Sequence, residues 1–429
     1  MQQRKVIQRQ NKGADLNLAR AGEAMDEFFA FNDYSGRRIL VIVPDHTRSG
    51  PVGEVFGMMF NRLQDKVAAL DVLVALGTHQ RMTEEAICRR LCIPAQRRGT
   101  RYAKMRLFNH EWDKPETYRT IGRITADEIH EISGGLFRQQ VEVRVNKLLF
   151  DYDDFFILGP VFPHEVVGFS GGHKYIFPGI AGSEIINFFH WLGAVITNPK
   201  VNGTKWTPMR RIVEKAASFI EVPRKLFAIV AAEGSLKGIF IGDVVEAWET
   251  AADLSDKVHI AYKDHPYNTI LGIAPKMYDD LWLGGKVMYK LEPIAADGGT
   301  IIIYAPHITE ISYTHGRIID EIGYHTRDYF RKQWDKFKHY PWGVIAHSTH
   351  VRGIGTYTGG VEKPRVNVVL ATGIPPERCR RVNLAYMDPD SIDIASYENR
   401  EDQGVLVVHH AGEILHRLRD GTVPSIPQD

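Results

Sequence analysis

The sequence has little charge imbalance and no long hydrophobic run. Its 429 residues carry 53 Lys and Arg against 52 Asp and Glu, a formal net charge of +1. A chain this close to neutral lacks the basic excess of nucleic-acid-binding proteins and has no charge bias toward a membrane surface. No apolar stretch reaches the roughly 18 residues that predict a transmembrane helix. We therefore expect a small-molecule partner, with no nucleic acid and no membrane.

Cysteine is also scarce, since only Cys88, Cys92 and Cys379 are present and three thiols cannot all pair. No apolar secretory segment follows Met1, and the first forty residues are polar and mixed in charge. These features predict a reduced, cytoplasmic protein. Cys88 and Cys92 lie four residues apart on a predicted helix, where two small core residues or a metal-binding pair would both fit.

Three common catalytic motifs are missing. No Gly-x-Gly-x-x-Gly follows the first predicted strand, which disfavours a nicotinamide-dependent dehydrogenase. The glycines before Lys174 are followed by His173-Lys174-Tyr175 rather than Gly-Lys-Ser/Thr, which argues against nucleotide hydrolysis. The histidine spacing contains no His-Glu-x-x-His, which excludes a zinc protease of that type.

Short runs rich in β-branched and aromatic residues, Ile39–Val43, Val72–Leu76 and Phe155–Leu158, alternate with helical patterns. Such runs are typical of buried parallel strands. We also predict a strand at Gly343–Ala346 and a helix at Glu413–Leu418. The fold class is therefore α/β: two α/β domains with mostly parallel sheets and an active-site cleft between them.

The length exceeds one ordinary domain, so two are expected. The polar, proline-bearing segment Lys263–Tyr267 is a natural linker. We predict an N-terminal cofactor-binding domain over 1–260, completed by about 395–429, and a smaller C-terminal domain over 268–394.

Polar side chains follow the predicted strands: Asp45-His46-Thr47-Arg48, then Gly77-Thr78-His79, then His164. Ligands in open α/β sheets bind beyond the carboxyl ends of strands, so these loops should converge. Two interpretations stay open at this stage. Asp45 and Arg48 are either a capping pair, or Arg48 binds the carboxylate of a ligand. Each of the histidines His79 and His164 is either a structural residue or a general acid/base.

The chain is organised around the stretch from Phe162 to Leu192, which holds a Ser-Gly-Gly-His-Lys loop at Ser170–Lys174. Glycines let the backbone come close to a ligand, which Lys174 would then contact. An ordinary lysine on a surface loop is the alternative interpretation of Lys174. From Ser183 the pattern becomes helical and places His190 about two turns into the helix.

These motifs together resemble the lactate racemase family, whose members carry a nickel-pincer nucleotide. The resemblance rests on Asp45–Arg48, Gly77–His79, His164-Glu165 followed by Ser170–Lys174, and Phe188–Gly193, in family order. It runs from about Arg38 to the C-terminus.

The resemblance implies a role for each matching residue. Lys174 would attach the cofactor covalently, His190 would ligate nickel, and His79 and His164 would be the paired catalytic acid/base residues. The remaining implied residues fall into a cofactor-binding set (Asp45, Thr47, Ser170, Gly171, Gly172) and a substrate-binding set (Arg48, Lys286, Leu283, Trp334). For Trp334, as for Trp342, a place in the core fits equally well.

The implied activity is racemisation or epimerisation at C2 of a 2-hydroxy acid by reversible hydride transfer. The implied cofactor is the nickel complex of pyridinium-3-thioamide-5-thiocarboxylic acid mononucleotide, so cofactor-maturation enzymes are expected partners, and a homo-oligomer is compatible with the sequence. Leu283 stands where lactate enzymes have Gln, and Gly284-Gly285 follow it. These departures predict an isomerase acting on a substrate other than lactate.

Two alternatives are kept. One is a non-catalytic binding or sensor homologue with the same fold, which intact His79 and His164 argue against. The other is a nicotinamide-dependent dehydrogenase, which stable NADH binding would support.

Overall fold

The computed structural model describes residues 6–11 and 14–425. Its strands, in chain order, are β1 (Val6–Gln10), β2 (Arg38–Pro44), β3 (Ala69–Ala75), β4 (Leu107–Asn109), β5 (Tyr118–Ile124), β6 (Val141–Asn146), β7 (Asp154–Pro160), β8 (Pro163–His164), β9 (Gly168–Phe169), β10 (Arg224–Ala232), β11 (Ser235–Gly242), β12 (Ile260–Lys263), β13 (Tyr267–Ile273), β14 (Ala295–Ala305), β15 (Gly355–Thr358), β16 (Val361–Pro364), β17 (Asn367–Thr372), β18 (Ala385–Tyr386), β19 (Val405–Val408) and β20 (Leu415–Leu418).

The α-helices, in chain order, are α1 (Leu18–Phe31), α2 (Val52–Leu63), α3 (Glu84–Arg90), α4 (Ala95–Arg98), α5 (Ala126–Ile132), α6 (Ser183–Ile196), α7 (Asn198–Val201), α8 (Pro208–Ala217), α9 (Val244–His259), α10 (Leu281–Gly284), α11 (Lys286–Leu291), α12 (Gly316–Ile322), α13 (Arg327–Lys332), α14 (Trp334–Phe337), α15 (Trp342–Arg352) and α16 (Pro376–Arg381). Across the described ranges, no helix combines the length and apolarity needed to cross a membrane.

Two sheets organise the chain, and both are mostly parallel, as predicted. The larger has the strand order β1-β11-β10-β7-β2-β3-β4. In it, β10, β7, β2, β3 and β4 run parallel, β11 pairs antiparallel with β10, and β1 pairs antiparallel with β11. The smaller has the order β18-β17-β14-β13-β19 and is parallel throughout. The predicted α/β class is confirmed.

The central strands of the larger sheet show why it forms. Every residue of β7 is buried, and so is every residue of β2 except Arg38. Continuous apolar strands of this kind belong between two helical layers. The main buried cluster around this sheet includes Val41, Phe156 and Phe227 from the strands and Phe56 from α2.

The chain divides into two compact units. Unit 1 comprises the residues up to Phe162, Phe169–Ile186 and Arg210–Val258. Unit 2 comprises Pro163–Gly168, Asn187–Met209 and the chain from His259 onward. The division therefore falls inside α6, after Ile186, rather than only near residue 260.

Three sequence predictions are corrected by this arrangement. Residues 395–429 do not complete the first domain, since β19 pairs with β13 in the smaller sheet. The segment predicted as a helix at Glu413–Leu418 contains the strand β20, which pairs with β12. Gly343–Ala346 is part of helix α15 and not a strand.

Candidate active site

The loops after β2 and β3 meet in unit 1. The two strands are parallel neighbours, and their last residues, Pro44 and Ala75, lie opposite each other. Asp45 follows β2 directly, and His79 lies in the loop after β3. Nδ1 of His79 is 2.6 Å from Oδ2 of Asp45. Parallel pairing thus brings together two side chains that are 34 residues apart in sequence.

The Asp45 carboxylate is fixed on its other side by Thr47. Oδ1 of Asp45 accepts hydrogen bonds from the Thr47 backbone N–H at 3.0 Å and from its hydroxyl at 2.6 Å. Burial alone would raise the pKa of Asp45, but the charge and hydrogen bond of His79 and the Thr47 hydroxyl outweigh it and hold that pKa well below its ordinary value. The ionised carboxylate therefore accepts the Nδ1–H of His79.

This hydrogen bond determines which ring nitrogen of neutral His79 carries the proton. When Nδ1 of a neutral imidazole donates, Nε2 keeps its lone pair. His79 is thereby set up to take a proton at Nε2, with a buried negative charge behind it to stabilise the cation that results.

Arg48 lies three residues beyond Asp45 and is half-buried. Among the residues that the structure describes, it makes no hydrogen bond and no ion pair, and its charge helps to lower the pKa of Asp45. Its guanidinium retains its donors for a carboxylate, which it would hold through two parallel hydrogen bonds.

The loop that carries Lys174 is held by its backbone. Ser170 N–H donates to the Phe162 carbonyl at 2.7 Å, and Phe162 N–H donates to Ser170 Oγ at 2.9 Å. Trp248 Nε1–H donates to the Ser170 carbonyl at 2.9 Å. Lys174 follows in a single 3₁₀ turn, Gly172–Tyr175, and is half-buried. The amine thus projects from a fixed backbone.

The two glycines of this loop are explained by packing inside unit 1. Gly171 and Gly172 have φ angles of 84° and 60°, a region that favours glycine. A Cβ on Gly171 would lie 2.6 Å from Cγ2 of Val161, and one on Gly172 would lie 3.1 Å from the Trp248 side chain. Their predicted contact with a cofactor stays a prediction.

His164 belongs to unit 2 and is 5% exposed. Its Nδ1 accepts a hydrogen bond from the Val166 backbone N–H at 3.1 Å. A neutral His164 therefore carries its proton on Nε2, which is the opposite tautomer to His79. Oε2 of Glu165 is 3.5 Å from the same Nδ1 and is placed to balance a positive charge on the ring.

His190 occupies the predicted position in α6, seven residues after Ser183 and so about two turns in. It is half-buried, and its ring stacks on Phe189 with centroids 4.6 Å apart. The next residue, Trp191, stacks on Trp334 with centroids 5.1 Å apart and an interplanar angle of 6°. Trp334 therefore anchors the helix that carries His190, and its role toward substrate stays a prediction.

Lys286 and Leu283 lie in neighbouring short helices of unit 2. The Asp280 carboxylate caps α10 by accepting from the Leu283 N–H at 3.0 Å. Lys286 opens α11, and its Nζ lies 4.6 Å from the centroid of the Tyr278 ring, a cation–π contact. The ammonium is thus positioned by an aromatic face.

Gly284 and Gly285, two of the departures that predict a substrate other than lactate, are explained by packing within unit 2. A Cβ on Gly284 would lie 2.9 Å from Cδ1 of Ile308, and one on Gly285 would lie 2.8 Å from Cγ2 of Val351. Protein side chains already fill the space that these glycines leave. The effect of Leu283 on substrate choice stays a prediction.

In the described ranges, no group of three or more His, Cys, Asp or Glu side chains is arranged so that it could hold a metal ion. Cys88 is buried in α3, whereas Cys92 is exposed beyond its end. They do not share one helix face, so the metal-pair interpretation is not supported.

Comparisons with known proteins agree on one family. A family model described as lactate racemase N-terminal domain matches residues 27–203. Two curated relatives are lactate racemases, one from Lactiplantibacillus plantarum, 23% identical over 62% of this chain, and one from Thermoanaerobacterium thermosaccharolyticum, 24% identical over 63% of it. The chain belongs to the lactate racemase family.

Solved structures extend the similarity of this lactate racemase family member. A crystal structure of a protein from Thermotoga maritima is 31% identical, with a TM-score of 0.88, and the match covers 96% of this chain and 100% of that one. The lactate racemase apoprotein of Thermoanaerobacterium thermosaccharolyticum shares the fold, with a TM-score of 0.65 at 17% identity over 90% of this chain and 88% of that one. The matches to the two curated relatives span 59% and 60% of their lengths.

One group of buried charges in this lactate racemase family member was not predicted from the sequence. His173 sits between Glu214, with Nδ1 to Oε2 at 2.5 Å, and Arg224, whose Nε–H donates to Nε2 at 2.9 Å. Since Nε2 accepts, Nδ1–H must donate to Glu214. Burial alone would raise the pKa of Glu214, but the hydrogen bonds and charges of His173 and Arg210 outweigh it and lower that pKa.

Arg210 connects this group to the Lys174 loop. Its side chain is fully buried, donates to the Phe169 carbonyl and to the Gly171 carbonyl at 3.3 Å, and lies 4.0 Å above the Trp248 ring. Burial lowers the pKa of Arg210 to about 10. The only sequence signal was the spacing of Arg210 and Glu214, four residues apart on one helix face.

We expect Arg210→Met to destabilise the protein by roughly 3–5 kcal/mol, because it leaves two loop carbonyls and a buried carboxylate without their donor. Urea unfolding followed by tryptophan fluorescence measures this. The neighbouring residue Arg211 is exposed, so Arg211→Met is a matched control that should leave stability within about 0.5 kcal/mol. Equal losses in both variants would contradict the role assigned to Arg210.

Proposed function

We propose that this protein is an isomerase that racemises or epimerises C2 of a 2-hydroxy acid other than lactate, with a covalently attached nickel-pincer nucleotide as cofactor. The observation that supports this most directly is the Asp45–His79 pair, at 2.6 Å with the carboxylate ionised. This pair prepares an imidazole to remove the proton of a substrate hydroxyl.

The residues present fit the proposed cofactor. Lys174 offers an amine on a backbone fixed by Ser170 and Trp248, and His190 offers an imidazole on a helix anchored by Trp191. Imidazole is a normal ligand for nickel. When bound, the cofactor would supply the acceptor for the C2 hydrogen and its electron pair, which the side chains of a protein cannot supply.

The chain's own residues would carry the remaining steps. Arg48 and Lys286 would hold the substrate carboxylate. His79 would take the hydroxyl proton onto Nε2 while Asp45 stabilises the charged ring. His164 would serve the other enantiomer; taking a proton at Nε2 would require its ring proton to lie on Nδ1 instead, where Glu165 would stabilise it. Two acid/base residues are needed because the hydroxyl points in different directions in the two enantiomers.

The same proposal includes a cytoplasmic location. It also includes dependence on cofactor-maturation enzymes, because the nucleotide must be made and loaded by other proteins. The small-molecule substrate is the main partner, and self-association is compatible with the proposal.

The test is chiral analysis of a panel of 2-hydroxy acids with protein co-produced with those maturation enzymes. We expect inversion at C2 for at least one acid, with lactate a poor substrate. With a C2-deuterated substrate, the label should stay on C2 in the inverted product, because hydrogen leaves and returns with its electrons rather than as a solvent proton.

Three outcomes would contradict the proposal in different ways. Full cofactor occupancy without inversion of any acid would favour the binding or sensor homologue. Stable NADH binding with oxidation of the acid would favour a dehydrogenase. Loss of the C2 deuterium to solvent would contradict hydride transfer and would indicate that the enzyme removes the C2 hydrogen as a proton.

A further inference from the structure

Helix α15 in unit 2 carries two buried histidines whose function the sequence did not suggest. His347 and His350 are 6% and 4% exposed and lie three residues apart, so they share one helix face. The Nε2 atoms of both rings are buried and have no hydrogen-bond partner among the described residues. Buried polar atoms are nearly always paired, so each exception calls for an explanation.

Two contacts fix the orientation of the His347 ring. Its ring stacks on the Trp282 indole with centroids 3.9 Å apart and an interplanar angle of 23°. The Tyr289 hydroxyl is 2.7 Å from its Nδ1. A ring held by a stacking surface and by a hydrogen bond cannot rotate its other nitrogen to a new partner. The direction in which Nε2 points is therefore built into the fold.

The proton on this ring can be placed. Within the described part of the chain, Nδ1 of His347 is the one hydrogen-bond partner of the Tyr289 hydroxyl. The hydroxyl proton therefore goes to Nδ1, and a neutral imidazole then carries its own proton on Nε2. Burial, together with the nearby rings of His350, His315 and His190, holds the pKa of His347 well below its ordinary value. Nε2–H is thus a buried donor without an acceptor.

The donor lies among the unit 2 residues assigned to substrate and nickel. Trp282 immediately precedes Leu283, and Tyr289 lies one turn after Lys286 on the same face of α11. His190 is close enough for its charge to affect His347. A molecule held by Leu283 and Lys286 would therefore lie next to the two elements that hold the His347 ring.

The surroundings favour an uncharged acceptor. The carboxylates of Glu165 and Asp280 both lie near enough to Tyr289 to raise its pKa, after the larger effect of burial. They would oppose a second carboxylate on the ligand. The buried hydroxyl of Tyr324 also has no partner in the described residues, and its ring centroid is 5.8 Å from that of His347. Neutral donors of this kind suit an alcohol oxygen.

We propose that Nε2–H of His347 donates a hydrogen bond to a hydroxyl group that the substrate carries beyond C2, so that the enzyme prefers polyhydroxylated 2-hydroxy acids of the sugar-acid class. This rests on the proposed function. An acid with an alkyl chain would leave the donor unpaired, and sites built around such a donor reject the analogue that lacks its partner. His347 is thus a specificity residue and takes no part in proton transfer.

The test compares substrates of matched size with loaded enzyme: glycerate against lactate, and a four-carbon 2,3,4-trihydroxy acid against 2-hydroxybutanoate. We expect kcat/KM for the hydroxylated member to exceed that of its partner by at least about 10-fold. The variant His347→Phe keeps a ring against Trp282 and should erase this preference, chiefly by raising KM for the hydroxylated acid. His339, exposed on the same unit, provides the control His339→Phe, which should keep the preference.

A second measurement does not need turnover. In protein with ¹⁵N-labelled histidine, binding of glycerate should shift the Nε2–H resonance that disappears in His347→Phe, whereas lactate should leave it in place. Unfolding midpoints of the variants show whether His347→Phe is folded, and Tyr289→Phe, which frees the ring to change tautomer, should weaken the preference if His347→Phe does not fold.

The outcomes separate this inference from the proposed function. Equal turnover of both members of each pair by wild type and His347→Phe would overturn the role of His347 and leave the isomerase proposal intact. No turnover of any acid would overturn the isomerase proposal, and the resonance shift would then decide the role of His347. An unshifted resonance with saturating glycerate would reject that role.

Discussion

Lys174→Ala should abolish turnover of every 2-hydroxy acid and also abolish the mass increment on the peptide that contains residue 174. The amine is the group proposed to attach the cofactor, and a methyl group cannot form that bond. Removing a residue on which a covalent arrangement depends costs at least about 10⁴-fold in kcat. Chiral analysis measures the first loss, and mass spectrometry of the digested, loaded protein measures the second.

Two further variants sharpen this result. Lys174→Arg keeps the positive charge on the same fixed turn, so a purely electrostatic role would leave substantial activity, whereas a covalent role would leave none. Lys104 is exposed in unit 1, and Lys104→Ala should change neither quantity. An unmodified Lys174 in an active wild-type preparation would refute the covalent assignment directly.

Asp45→Asn should lower kcat by roughly 10²–10⁴-fold while the fold is retained. The amide is nearly the same size as the carboxylate but can donate to Nδ1 of His79, which would move the ring proton to Nε2 and remove the lone pair that accepts the substrate proton. It also removes the negative charge that stabilises the protonated ring. The measurements are kcat and KM for the substrate found in the panel.

The control for this variant is another buried carboxylate of unit 1. Asp71 is 1% exposed and pairs with Arg106 and Tyr152 away from His79, so Asp71→Asn should lower stability without a specific loss in kcat. A double-mutant cycle completes the test. If Asp45 acts through His79, Asp45→Asn should cost little in a His79→Gln background. Additive losses would show that Asp45 acts independently, for example by contacting the cofactor as the family resemblance implied.

The sequence alone was sufficient for the helix that carries His190. Ser183 as a cap and apolar residues at helical spacing predicted its start, and the helix runs from Ser183 to Ile196. Helix periodicity is a local property, so nearby residues report it well. The same holds for β2, β3 and β7, whose apolar runs mark strands covered on both faces.

Helix α15 shows the opposite case. Its residues Val344–Val351 are all buried, so no polar face marks a helical period, and the segment Gly343–Ala346 looked like a short buried strand. A fully buried helix and a buried strand have the same local pattern. The predicted strand ended at Ala346, so His347 lay outside it and was given no role.

The sequence by itself determined that the chain is α/β with mostly parallel sheets, that Asp45 and His79 end neighbouring segments, and that Lys174 sits on a glycine turn. Only the tertiary structure decided that Asp45 holds Nδ1 of His79, that Arg210 and Trp248 hold the lysine loop, and that His347 has an unpaired donor. The physical reason is that periodicity and turns depend on adjacent residues, whereas hydrogen-bond partners and proton positions depend on side chains that packing brings together from distant parts of the chain.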